Sequence, residues 1–431
     1  MALRASVGVS QLLDGREAGA EAARSAFDRL GGGPGKLGFV IASQDYPVQE
    51  VVTGVLALLG DTPLLGFSTS ATLTGEGQNT RSVVVGLLSS SDIQARADWW
   101  TGSPEVSQAA AAPPSLRKML QNLHPGDSAG TMLLIYDGLS ANSDKMVEAV
   151  QTSLKQDVEQ GGPSPQFVGC LSGGDLHHER TYQIGGRQSG PGGMAGAFLS
   201  GKITIGLGAA TGWRAAGPYF KVTKAGGAYI RGLDGQPPAE IFAHLLGRTT
   251  RDWCHPPLNE LVRLYALGLQ AQGKDAPQKT IQIRSSLRME SDGSLLLNSV
   301  IKEKTPVHLM MGSIETCVQA AEDAARQALD ALAHSNLAHT ELAQTELGQY
   351  GLAQRQAQNS PALALLLVDE AWRMLMESCP GEEVKAVQKI LGKDVPVIGG
   401  YTFGQIAPLP GGTGTELLNQ HLLLILFGET G

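Results

Sequence analysis

"PVIGGYTFGQIAP", residues 396–408, reads as a short apolar strand running into a turn of Gly, Thr and Phe. Near the other end of the chain, "PLLGFSTSATLTGEG" (63–77) opens with the same Pro-x-x-Gly and closes in a similar turn. Working outward from both, the surroundings also match. Each is preceded by a helix, "VQEVVTGVLALLG" (48–60) and "EEVKAVQKILG" (382–392). Before those helices stand the apolar strands "LGFVIA" (37–42) and "ALALLLVD" (362–369), and before these the alanine-rich helices "AARSAFDRL" (22–30) and "AARQALDAL" (324–332). Apolar strands follow both turns, "SVVVGLL" (82–88) and "HLLLILF" (421–427). One local match could be chance, but the same order of elements twice indicates an internal repeat.

The middle of the chain carries a weaker echo: strand "TMLLIYDG" (131–138), helix "ANSDKMVEAVQTSL" (141–154), then "PQFVGCLSGGD" (165–175) and the strands "GGMAGAFLSG" (192–201) and "KITIGLGAA" (202–210). Tight glycine turns between successive strands require antiparallel neighbours, whereas a wholly parallel sheet needs a crossover each time. The expected class is therefore α+β, an internally duplicated arrangement of mixed or antiparallel sheets with flanking helices. A chain of 431 residues exceeds what one core usually organises. Two domains are expected, 1–235 and 236–431. In both copies an apolar segment precedes the first helix, "ASVGV" and "VHLMM". The second copy carries an insertion at 333–361 in which leucine recurs every five residues from Leu332 to Leu352. That spacing suits neither helix nor strand, and it reads as a solvent-exposed extension grown by local duplication.

The balance of charge excludes several classes of partner. The net charge is −8 with no lysine or arginine cluster, which argues against nucleic acid and anionic membrane surfaces. The first residues lack a signal-peptide core, and "ALALLLV" and "LLLILF" are too short to span a bilayer. A soluble, cytoplasmic protein is the expectation. The four cysteines form no C-x-x-C and read as reduced core thiols.

Catalytic motifs fail on inspection. "GGGPGKL" (31–37) lacks the Walker spacing and the hydroxyl after lysine; "GLGAAT" (206–211) lacks its last glycine and the helix; "GFSTS" (66–70) is one glycine short of a nucleophile elbow. No enzyme is expected, and no metal. "GGDLHHERTY" (173–182) crowds ligand-type side chains, but adjacent histidines on an extended segment point to opposite sides. The glycine turns fare better. Glycine lets backbone N–H groups approach a ligand, and the neighbouring hydroxyls add donors and acceptors.

With these segments in hand the chain resembles the FIST family, with its FIST N and FIST C domains. The resemblance rests on "GFSTSATLTGEG", "GCLSGGD" with "RTYQIGG", "VTKAGGAYIRGLDGQPPAE" and "GGYTFGQIAP", which occur in order. It implies a sensory protein binding a small ligand, an amino acid or related metabolite, and signalling through a separate partner such as a histidine kinase. No cofactor is expected. A haem-binding nitric-oxide sensor, with His177, His178, His244 or His308 as axial candidates, is the alternative, and a ligand-free interaction scaffold is a third. The expected ligand-lining residues are Gly66, Ser68, Thr69, Gly173, Gly174, Asp175, Gly399, Gly400, Thr402, Gln405 and Asn419, with Arg284 offering a fixed positive charge. The chain departs from the family at Gln405, where a glutamate is usual. It also departs over Leu418–Asn419–Gln420–His421, where Asn419 and Gln420 are retained and the histidine is displaced, and at "VDEAWRMLMESC" (368–379).

Overall fold

The computed structural model describes residues 2–33, 35–101, 114–123, 130–140, 143–159, 166–174, 180–270, 281–338, 361–408 and 414–429. The repeat seen in the sequence is present three times. The first unit runs strand Arg4–Ser10, helix Gly15–Arg29, strand Leu37–Ser43, helix Val48–Leu59, strand Leu64–Thr69, hairpin Thr72–Thr74/Gly77–Asn79 and strand Val83–Ser89. The second runs Ile93–Trp100, Pro114–Leu123, Gly130–Tyr136, Ser143–Glu159, Gln166–Leu171, hairpin Tyr182–Gly186/Gln188–Pro191 and Met194–Gly201 in the same order. The third begins at strand Thr204–Thr211. It resumes after an inserted seven-stranded sheet (Arg214–Met311) with helix Ile314–Ala338, strand Leu363–Asp369, helices Glu370–Leu375 and Glu382–Leu391, strand Val397–Thr402, hairpin Gly404–Pro408/Thr415–Leu418 and strand His421–Gly428. The mixed sheets and the α+β class are as the sequence indicated, and the weak middle echo is a complete copy.

One sequence pairing is corrected. The strand equivalent to Arg4–Ser10 is Thr204–Thr211, not "VHLMM", which is a strand of the inserted sheet. The packing proves the equivalence. A Cβ on Gly8 would lie 2.2 Å from the Ala22 carbonyl oxygen, and one on Gly208 would lie 1.8 Å from that of Ala324. "AARSAFDRL" and "AARQALDAL" thus seat on their strands through the same alanine and a facing glycine. The insertion separated strand from helix along the chain without separating them in space.

Each unit supplies four strands of its sheet, and the last two of the four are parallel: Leu37–Ser43 beside Leu64–Thr69, Gly130–Tyr136 beside Gln166–Leu171 and Leu363–Asp369 beside Val397–Thr402. The fifth and sixth strands of every sheet come from another unit. The hairpin of the first unit pairs with Val397–Thr402, that of the second with Leu64–Thr69, and that of the third with Gln166–Leu171. The exchange is cyclic, so all three sheets are closed against one another.

The inner faces of the three sheets meet in one core that includes Phe39, Ile41, Leu133, Ile135, Leu365 and Leu367. The outer faces are covered by each unit's own helices. Strands buried on both faces need continuous apolar runs rather than alternation, which is why "LALLLVD" and "HLLLILF" read as they do. Fully burying each such side chain contributes about 1.5–3 kcal/mol. The inserted sheet has its own core around Phe242, Trp253 and Tyr265. The division at 235/236 expected from sequence falls inside this insertion, between Tyr229–Leu233 and Pro238–Leu246. The leucine-pentad segment lies largely outside the described residues.

Gly66, Gly169 and Gly399 are equivalent, and each faces the carbonyl of its parallel neighbour. An added Cβ would lie 1.8, 1.7 and 2.1 Å from the oxygens of Val40, Leu134 and Leu366. Such contacts are with backbone and cannot be relieved by a side-chain rotation. Gly169→Ala is expected to cost about 3 kcal/mol, the upper end for overpacking. Urea unfolding would measure it, and a loss under about 1 kcal/mol would show that the strand spacing gives way.

Candidate functional site

The expected ligand-lining residues sit where the three units are bolted together. The Ser68 hydroxyl donates to the Gly173 carbonyl (2.8 Å) and accepts from the Tyr182 N–H (2.8 Å), tying the first unit to the second. Thr69 Oγ1 accepts from Tyr401 N–H at 2.8 Å, tying the first to the third. A Cβ on Gly173 would meet the Tyr401 carbonyl oxygen at 2.2 Å, and one on Gly174 the Gln44 side chain at 2.3 Å. Gly400 packs on Thr69, and Thr402 donates to the Val368 carbonyl. These glycines are close-packing positions rather than backbone left open to a ligand.

Gln405 is fully buried, and its amide contacts Thr402, the Asp369 N–H and the His421 carbonyl. The register shows why an amide belongs there. Thr72, Gln183 and Gln405 lie opposite Gly400, Phe67 and Cys170, the same place in each exchanged hairpin. All three are wholly buried, and the Gln183 amide likewise bridges Ser172 and the Gly193 N–H. A carboxylate would lack the donor that reaches the carbonyl. Asn419 is buried and bonded to Ile283 and Asn298. Arg284 is half-buried, and burial lowers its pKa, which Asp144, Glu416 and Glu148 partly offset. Asp175, His177 and His178 lie outside the described residues. His244 is exposed, and His308 lies on a strand of the inserted sheet against Tyr219.

Beside these bolts lies a cavity of about 280 Å³. None of the eleven expected residues that are described lines it. Its floor comes from the second and third units: Gly138–Ser140, Ser143, Leu171, Asp369–Ala371, Phe403 and Gln420. Its roof comes from the insertion: Ala228, Arg263, Ser285–Leu287 and Leu296–Asn298. The junction is fixed by Gln420, a non-glycine residue at φ +51°. Its N–H donates to Asp369 Oδ2 (2.9 Å), while its carbonyl accepts from Trp372 Nε1 (3.0 Å) and Thr211 Oγ1 (2.7 Å). Its side chain accepts from Ser285 (3.1 Å) and donates to the Arg263 carbonyl (3.4 Å). Trp213 Nε1 donates to the Leu264 carbonyl at 2.9 Å, anchoring the turn that carries Arg263.

Arg263, Asp369 and Glu370 give the cavity its charge. Burial pushes the Asp369 carboxyl up to about 6, against the pull of the Ala371 and Gln420 N–H groups and Arg263. Burial pushes Glu370 up to about 7, against Arg373 and Ser70. Burial also lowers the Arg263 pKa, which Asp369 and Glu370 partly offset. The Arg263 Nε has no hydrogen-bond partner. A buried guanidinium normally has its donors satisfied, because each lost bond to water must be replaced. Here the replacement is missing, and the cavity lies beside it. Leu171, Leu287, Leu296, Leu297 and Phe403 make the remaining walls apolar.

Sequence reasoning noted Asp369 and Glu370 as a departure but did not place them in a site. It missed Arg263, Ser285, Asn298 and Gln420. The one available signal was a lone arginine in the largely apolar run "ELVRLYALGL" (260–269).

Three strand-exchanging units and one inserted sheet thus meet at a single cavity. The chain matches the FIST N domain over residues 36–236 and the FIST C domain over 238–408, and it belongs to the FIST family. FIST domains are associated with signal transduction and small-ligand sensing. Two uncharacterized proteins of Mycobacterium tuberculosis are each 25% identical over 417 residues, covering 95% of this chain and 96% of their own length. Among solved structures, a cyanuric acid hydrolase from A. caulinodans aligns over 100% of both chains at 10% identity and a TM-score of 0.36. A second cyanuric acid hydrolase structure covers 47% of this chain and 70% of its own, at 12% identity and 0.25. No described helix is long and apolar enough to cross a membrane.

Two predictions follow from the charges. Because the Arg263 Nε–H has no hydrogen-bond partner, Arg263→Met is expected to leave the protein within about 1 kcal/mol of wild type or to stabilise it. A loss of about 3 kcal/mol or more in denaturant melts would mean that a compensating ion pair holds it. Glu370 is raised from 4.5 to about 7 in the folded chain, so its contribution to stability is full below pH 4.5 and is lost as pH rises through 7. His421, lowered from 6.5 to about 4, acts oppositely, so the wild type is best compared with Glu370→Gln. Stability of wild type relative to this variant should fall between about pH 4.5 and 7, and a flat difference in melts across that range would refute the assignment.

Proposed function

We propose that this FIST-family chain is a sensory protein that binds a small zwitterion, an amino acid with an apolar side chain or a close relative, in the cavity beneath the insertion. It would pass the state of that cavity to a separate signalling partner such as a histidine kinase. The observation that carries this reading is the half-buried Arg263, whose buried Nε has no hydrogen-bond partner, set beside two buried carboxylates. A ligand carboxylate would satisfy Arg263 in a bidentate manner. An ammonium on the adjacent carbon would lie against Glu370 and Asp369, and the apolar walls would take the side chain. A volume of about 280 Å³ sits below the usual range for drug-sized ligands, which suits a metabolite.

Binding rather than catalysis is favoured by the hydroxyls. Ser285 donates to the Gln420 side chain and Ser286 to the Tyr265 carbonyl, so neither is held by a general base. A ligand here would touch both the insertion and the three-unit core, so its arrival would tighten their junction.

A thermal-shift screen of the twenty amino acids at pH 7.5 tests the reading. Apolar amino acids at 100 times their dissociation constant should add about 2.7 kcal/mol of stability, and Arg263→Gln should abolish the shift. Absence of a shift with every amino acid would overturn it.

A further inference from the structure

Glu370 faces the cavity, yet both its oxygens are already held from outside. Oε1 accepts from Arg373 Nε at 2.6 Å, and Oε2 accepts from the Ser70 hydroxyl at 2.6 Å. Ser70 belongs to the first unit, in the turn between Leu64–Thr69 and the hairpin that completes the third sheet. Arg373 lies one turn further along the helix Glu370–Leu375, with 31% of its side chain exposed against 3% for Glu370. One buried carboxylate therefore joins the cavity wall, a unit-to-unit bolt and a guanidinium that reaches solvent.

We propose that Glu370 is a relay, and that a cationic group entering the cavity takes it from Arg373 and so reports occupancy on the protein surface. The inference rests on the zwitterion reading above. The choice of which contact yields follows from packing. Ser70 is flanked by Thr69, bonded to the Tyr401 N–H, and by buried Ala71, so its turn is held on both sides. Among the described residues, the side-chain contact of Arg373 is the one to Glu370. With 31% of its side chain exposed, Arg373 can exchange the carboxylate for water, whereas a buried ammonium without a carboxylate is far less tolerable. Occupancy would then leave a positive charge at the surface unpaired by the protein, available to an acidic group of a docking partner.

Arginine Nε–H resonances of the full chain, assigned with Arg263→Lys and Arg373→Lys, test the relay with L-leucine as probe. On saturation both resonances should move, that of Arg263 to a newly hydrogen-bonded position and that of Arg373 to the position of a solvated guanidinium. In Glu370→Gln, with melting used to confirm folding, the Arg373 resonance should already sit at the solvated position and L-leucine should no longer move it. Movement at Arg263 with Arg373 unchanged overturns the relay and leaves the binding reading standing. No movement at either overturns both.

Discussion

The rest of this structure depends on the cyclic exchange of hairpins. Each unit ends its parallel strand pair at a turn and sends the next hairpin onto another unit's sheet. A four-stranded sheet would otherwise expose the edge of its last parallel strand, and such edges invite unwanted pairing. Exchange satisfies those backbone groups internally. It also brings the three strand-end turns together, because each turn must cross from one sheet to another near the shared core. Three local turns thereby become one polar junction.

That junction explains the buried polar chemistry. Thr72, Gln183 and Gln405 occupy one position in three contexts, and each bridges backbone or hydroxyl groups that the crossing leaves unpaired. An amide serves where both a donor and an acceptor are required. The amide at Gln405 is therefore a matter of hydrogen-bond sign at a buried crossing. The charged groups that face open space stand one layer away, where the insertion closes over the second and third units and symmetry among the units is broken.

The insertion is what turns a packed prism into a protein with a cavity. It supplies Arg263, Ser285 and Asn298, none of which has a counterpart in the other two units. Its cost is a desolvated guanidinium beside two desolvated carboxylates, a combination that natural cores avoid unless something compensates it. The strain is held by Gln420, whose backbone and side chain contact Asp369, Trp372, Thr211, Ser285 and Arg263 together. The Gln420 turn is thus a joint that both the core and the insertion share.

The sequence by itself determined the repeat, the α+β class and the family. These are local facts: apolar runs of fixed length, glycine turns and matched helices survive in the order of residues. It also marked the turn residues as special, since only glycine and small hydroxylated residues fit there. What those residues do was decided by tertiary structure. Gly66, Gly173 and Gly399 could serve a ligand or a neighbouring carbonyl equally well, and only the strand spacing selects the carbonyl. Arg263 comes from an inserted sheet over a hundred positions away from Asp369, and no local pattern marks the pair. Their meeting follows from how the insertion docks on Gln420, a long-range contact that periodicity and propensity do not encode.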